Sequence, residues 1–146
     1  IYKQEDAEAF VSRINQLTPI TQHVWGTMTV SQMLAHIQEP IKVALGVTKP
    51  NRSVIGFLFG RIAKKGIINH QPFKKGLPTD TSFIISDDRS FESEQQNAIA
   101  LIRAMQKAGP SGITTNKHPF FGKMDATEWD TLTIKHLDHH LRQFGV

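Results

Sequence analysis

Two histidines four residues apart, His136 and His140, form the pattern in this sequence with the most direct chemical use. At about 100° per residue they project only about 40° apart on a helix, so two imidazole nitrogens can reach one divalent ion at about 2.0–2.1 Å. Residues 127–144 (TEWDTLTIKHLDHHLRQF) carry Trp129, Leu132, Leu137, Leu141 and Phe144 at helical spacing. That periodicity predicts a docked helix with His136 and His140 inside its apolar stripe. Thr127 and Asp130 read as its capping box. His139 is set aside as a ligand, because it differs in direction from His140 by about 100°. A pair at this spacing completes no site, and the same pattern serves core-edge histidines that hydrogen-bond to backbone or water. A third ligand has to come from elsewhere.

The elements that must position these groups follow from the same periodicities. Ala7, Phe10, Val11, Ile14 and Leu17 predict a first helix over 4–17, stopped before Pro19. Thr29 with Gln32 forms a capping box for a second helix, whose apolar face is Met33, Leu34, Ile37, Ile41, Ala44 and Leu45. His36 lies at the edge of that face. Pro40 stands where its ring disturbs the carbonyl of His36, which either re-aims this candidate ligand or is a bend tolerated by packing.

Residues 53–65 (SVIGFLFGRIAKK) predict a short amphipathic helix weakened by Gly56 and Gly60. A flank packed on the bundle is preferred over a membrane surface or a partner subunit for its apolar side. Residues 66–88 read as an irregular loop with the basic pair Lys74-Lys75, anchored by Phe83, Ile84 and Ile85. Asp87 or Asp88 caps a long helix to Ala108 with Phe91, Gln95, Ala98, Ile99, Ile102 and Met105 buried, ended by Gly109-Pro110. In the next loop, His118 of HPFFG reads as an exposed turn residue, with Phe120 and Phe121 plugging one end of the bundle. Four long helices and one short one, with almost no strand signal, make an all-α four-helix bundle with one extra short helix.

At 146 residues the chain suits one domain, 1–146. With no cysteine, a disulfide framework, a thiolate metal site and a cysteine nucleophile are excluded. A net charge of +4, with basic residues mostly scattered among acidic ones and no helix with a continuous basic face, argues against nucleic acid. No apolar run approaches the ~20 residues that span a bilayer, and the first residues are charged where a signal peptide is apolar. The expectation is a cytoplasmic protein with no membrane partner.

The fragment WGTMTVSQMLAHIQEP, residues 25–40, together with KHLDHHLRQFG at the end, resembles the DinB/YfiT-like superfamily. HPFFGKMDATEW followed by KHLDHHLRQF is similar to its DinB-like subfamily of uncharacterised proteins. The resemblance covers nearly the whole chain and implies a four-helix bundle. It also implies that a second-helix histidine joins the HxxxH pair around a divalent metal, usually nickel or zinc. The matching positions are His36, His136 and His140, and Gln143 stands where many relatives carry the glutamine of an HRGQ ending. Here Leu141-Arg142 replaces the middle of that ending.

Some members use a low-molecular-weight thiol as transferases or isomerases, which implies a metal-dependent S-transferase acting on a small electrophile. The other class is a non-catalytic helical bundle, a dimeric binding or stress-related domain, with a vestigial or weak metal site. The apolar 53–65 segment and the frequent dimers of similar bundles lead us to expect a homodimer.

Overall fold

The computed structural model describes residues 1–69 and 71–146. Among the described residues five α-helices follow one another: α1 Gln4–Ile14, α2 Val30–Ala44, α3 Val54–Ile67, α4 Phe91–Ala108 and α5 Ala126–Gln143. Among the described residues there is no strand, only an isolated bridge between His118 and Gly122. Helices α1, α2, α4 and α5 form the bundle, with α2 packed on α4 and α5, and α1 packed on α4 and α5.

The expected stripes meet at the centre. Phe10, Ile14, Met33, Ile37, Ala98, Ile102, Trp129, Leu132, Leu137 and Phe144 are all buried in one apolar cluster. Each fully buried aliphatic side chain there stabilises the fold by roughly 1.5–3 kcal/mol. A polar tie crosses this core: the Gln38 amide on α2 donates to Glu94 Oε2 on α4 at 2.6 Å and to the Leu34 carbonyl at 3.0 Å.

Helix starts are decided by which side chain can satisfy the first free N–H groups. Thr29 does so for α2, with the reciprocal bond from its own N–H to Gln32 Oε1 at 3.0 Å. For α5 the box is formed by Asp125 and Glu128, whose two reciprocal bonds measure 2.8 and 3.0 Å, rather than by Thr127 and Asp130. Asp125 precedes the predicted start by two residues and carries a full charge at the positive helix end. For α4 the cap is Ser90, not Asp87 or Asp88, and Asp87 pairs with Arg89 at 3.0 Å instead. α2 runs through Pro40, which is buried. Helix α1 closes at Ile14, earlier than expected, and Leu17 still enters the core after the last turn.

The segment 54–67 departs from its expected packing. Only Gly56 and Gly60 are buried on α3, while Val54, Ile55, Phe57, Leu58, Phe59 and Ile62 are each more than half exposed. The glycines face the backbone of the 118–122 turn, where a Cβ at position 60 would lie 1.9 Å from the Phe120 carbonyl oxygen. Only a side chain of hydrogen fits, so the glycine face docks and the bulky face turns outward. Phe120 and Phe121 are half-buried, with the ring of Phe121 packed against the core cluster. In the preceding loop Phe83 is buried, as expected, whereas Ile84 is exposed.

Candidate metal centre

Helix α5 contributes His136 and His140 one turn apart, and α2 contributes His36 from across the interface. His36 Nε2 lies 3.1 Å from His140 Nε2 and 3.0 Å from His136 Nε2. One ring nitrogen of each residue lies within 4.8 Å of the other two. Two nitrogens bound to one ion at about 2.0–2.1 Å and an angle of about 90–109° sit about 2.9–3.4 Å apart. The three histidines expected from sequence are brought together, and they can hold a metal ion.

Outer hydrogen bonds fix which nitrogen of each ring carries its proton. His36 Nδ1 is 2.8 Å from the Phe83 carbonyl oxygen, which can only accept, so Nδ1 donates and Nε2 presents a lone pair. Gln143 Nε2 donates to the Trp25 carbonyl at 2.8 Å, which leaves Gln143 Oε1 to accept from His140 Nδ1 at 2.8 Å. His140 Nε2 is then a lone pair as well. Two acceptor nitrogens face each other at 3.1 Å, a repulsive contact unless a cation lies between them.

That cation is not a proton at neutral pH. Burial pushes His140 down to about 3, reinforced by the neighbouring His36. Burial also lowers His36, against a partial counter-effect of its bond to the Phe83 carbonyl. His136 lies well below the ordinary histidine range, first through desolvation and then through His140 and His36. Three neutral imidazoles converge, the protonation state a metal requires.

Among the described residues, the other histidines fall outside this set. His139 is half-buried with its ring 5.9 Å from those of Trp25 and Phe73, and 5.0 Å from that of His140. His118 is buried, contrary to the exposed turn expected for it. Its Nδ1 accepts the backbone N–H groups of Phe120 and Phe121 at 3.1 and 3.2 Å, which closes the 118–122 turn and explains why the ring is drawn inside. Burial then pushes it down to about 3. Its ring also packs edge-on against Phe83, the residue whose carbonyl holds His36.

Two groups of this site carried no sequence signal: the carbonyl oxygens of Phe83 and Trp25, which act through backbone and leave no mark on residue type. A cleft of about 140 Å³ opens beside His139, lined by Trp25, Phe73, Lys75, Asp138 and Arg142. Its lining is aromatic through Trp25 and Phe73 and of mixed charge, with Lys75 Nζ 4.2 Å above the Trp25 ring and Arg142 3.7 Å from the Asp138 carboxylate. A larger cavity between α2 and α4, lined by Gln38, Lys42 and Asn97, contains none of the described histidines.

Residues 2–145 match a family described as "Protein of unknown function (DUF1569)". No curated protein and no solved structure matches the chain.

Proposed function

The chain belongs to the DUF1569 family, and from that premise we propose that it is a DinB-like divalent-metal protein whose ion, nickel or zinc, is held by His36, His136 and His140. The observation that carries this reading is the pair of lone-pair nitrogens, His36 Nε2 and His140 Nε2, aimed at each other across 3.1 Å with a third imidazole beside them. A core that placed these rings for packing alone would gain more by rotating one of them. All-nitrogen ligation suits zinc or nickel better than calcium or magnesium, which prefer oxygen.

Three protein nitrogens leave coordination open, and an ion held there lowers the pKa of a thiol or water brought to it. The chain's own residues do the rest. Phe83 and Gln143 keep His36 and His140 in the tautomer that offers Nε2, and such outer partners also raise ligand basicity. Trp25 and Phe73 shape the adjacent cleft for a small molecule with an apolar part, and Lys75, Arg142 and Asp138 supply charges of both signs in its lining. The chain has no cysteine, so in a thiol transferase reaction the sulfur has to come from a cosubstrate.

The test is a screen of low-molecular-weight thiols against small electrophiles with zinc-loaded, nickel-loaded and metal-free protein. Turnover that needs the metal and disappears in His140→Ala supports an S-transferase. Stoichiometric metal without turnover makes the protein a non-catalytic metal-binding bundle.

A further inference from the structure

Six of the eleven exposed large hydrophobic side chains among the described residues lie on the outer face of α3, away from the metal centre. Val54, Ile55, Phe57, Leu58, Phe59 and Ile62 are between 58% and 76% exposed on a single helix. Such a patch marks a surface that something covers, because isolated monomers rarely leave one open. The opposite side of the helix is committed to the body of the protein through Gly56 and Gly60.

Charge decides between occupants. From position 40 to position 79 the chain has eight basic residues and no acidic one, whereas the rest of the chain has nine basic against thirteen acidic. On α3 itself, Lys64 is drawn inward to Glu128 at 2.6 Å, while Arg61 and Lys65 stay exposed on the same outward arc, towards the C-terminal end of the apolar residues. Among the described residues neither of these two pairs with a carboxylate. A symmetric dimer through this face would bury Arg61 and Lys65 against a copy that offers no acid in the same segment to pair them. A surface that is apolar beneath and anionic above matches both halves of the patch.

We propose that α3 is a membrane-docking helix, which lies in the headgroup region of an anionic lipid surface with its phenylalanines and isoleucines inserted and Arg61 and Lys65 on the phosphates. This departs from the expectation of no membrane partner and from packing of this segment on the bundle. The helix lies on the surface rather than crossing it, since no helix among the described residues is long and apolar enough to span a bilayer. The proposal is independent of the metal, and the glycine face leaves the bundle unchanged when the outer face is occupied.

The experiment is co-sedimentation of the full chain with vesicles of phosphatidylcholine alone and of phosphatidylcholine mixed with phosphatidylserine, at low and high salt. The expected result is binding to the mixed vesicles that weakens with salt and is absent with the neutral ones. Each interfacial cation contributes about fivefold, so the double variant Arg61→Gln, Lys65→Gln should bind roughly twenty-five-fold more weakly. Phe59→Ser should weaken binding at both salt concentrations, because it removes inserted apolar surface. All three positions are exposed, so the variants should keep the parent's circular dichroism spectrum. Failure of the parent chain to bind mixed vesicles would overturn the proposal, as would equal binding to neutral vesicles. If light scattering instead gives a doubled mass that Phe59→Ser halves, a second copy covers the face and the lipid reading is wrong.

Discussion

Replacing Gln143 with Leu tests whether the bonds behind the metal site matter as much as the histidines in front of it. The amide makes two 2.8 Å bonds, accepting from His140 Nδ1 and donating to the Trp25 carbonyl. Leucine matches its bulk in a buried position and makes neither. The His140 Nδ1–H is left without its partner, a loss of about 1–3 kcal/mol for a buried polar group. His140 is also freed to rotate or to switch tautomer, which removes Nε2 as a ligand. Loss of such an outer partner lowers metal affinity about 10–100-fold. The assay is zinc competition against a chromophoric chelator at pH 7.5, with circular dichroism as the check on folding. A folded Gln143→Leu protein whose zinc affinity equals the parent's would refute the claim that Gln143 sets the His140 tautomer.

Further outcomes follow from packing and titration. Gly60→Ala places a methyl group against the Phe120 carbonyl, so α3 should detach, read as faster proteolysis within 54–67 while the bundle stays folded. Leu137→Ala, at a fully buried position, should cost about 2–5 kcal/mol in chemical denaturation. His118 has a folded pKa of about 3 against about 6.5 unfolded, so the unfolded chain binds the extra proton as pH falls. Stability should therefore be full above about pH 6.5 and decline towards pH 3, by at most about 1.4 kcal/mol per unit for this residue. His118→Asn, which can accept the same backbone N–H groups but does not titrate, should make that decline shallower in urea titrations across pH, leaving the part due to His36, His136 and His140.

The parts of the molecule legible in sequence are those in which side-chain type and period carry the physics. The 3.6-residue stripes of α2, α4 and α5 located the core, and HxxxH within such a stripe located the inward-facing pair. The third candidate was harder, because nothing in the residues around His36 announces that α2 lies opposite α5, and its place beside Pro40 read equally as a tolerated bend. Only the resemblance joined it to His136 and His140. Backbone partners were invisible for the reason given above, and His118 was misjudged because turns are usually exposed and its role is to accept backbone N–H groups.

Helix α3 inverted its expectation, because bulky apolar residues signal burial only when the neighbouring surface can admit them. Here the surface against α3 is backbone, and glycine alone can meet it. The small-residue spacing Gly56-Gly60 was the signal, and it was read as weakness in the helix. The charge pattern was also missed, since a net +4 hides a segment without acidic residues between positions 40 and 79.

The most direct test of the metal centre is elemental analysis of untagged protein, with His36→Ala and His139→Ala variants prepared in parallel. The account predicts about one nickel or zinc per chain in the parent and in His139→Ala, and a loss of most of it in His36→Ala, the ligand contributed by the opposing helix. A parent protein without transition metal that also fails to take up zinc or nickel at neutral pH, or a His36→Ala protein that keeps its full complement, would contradict it.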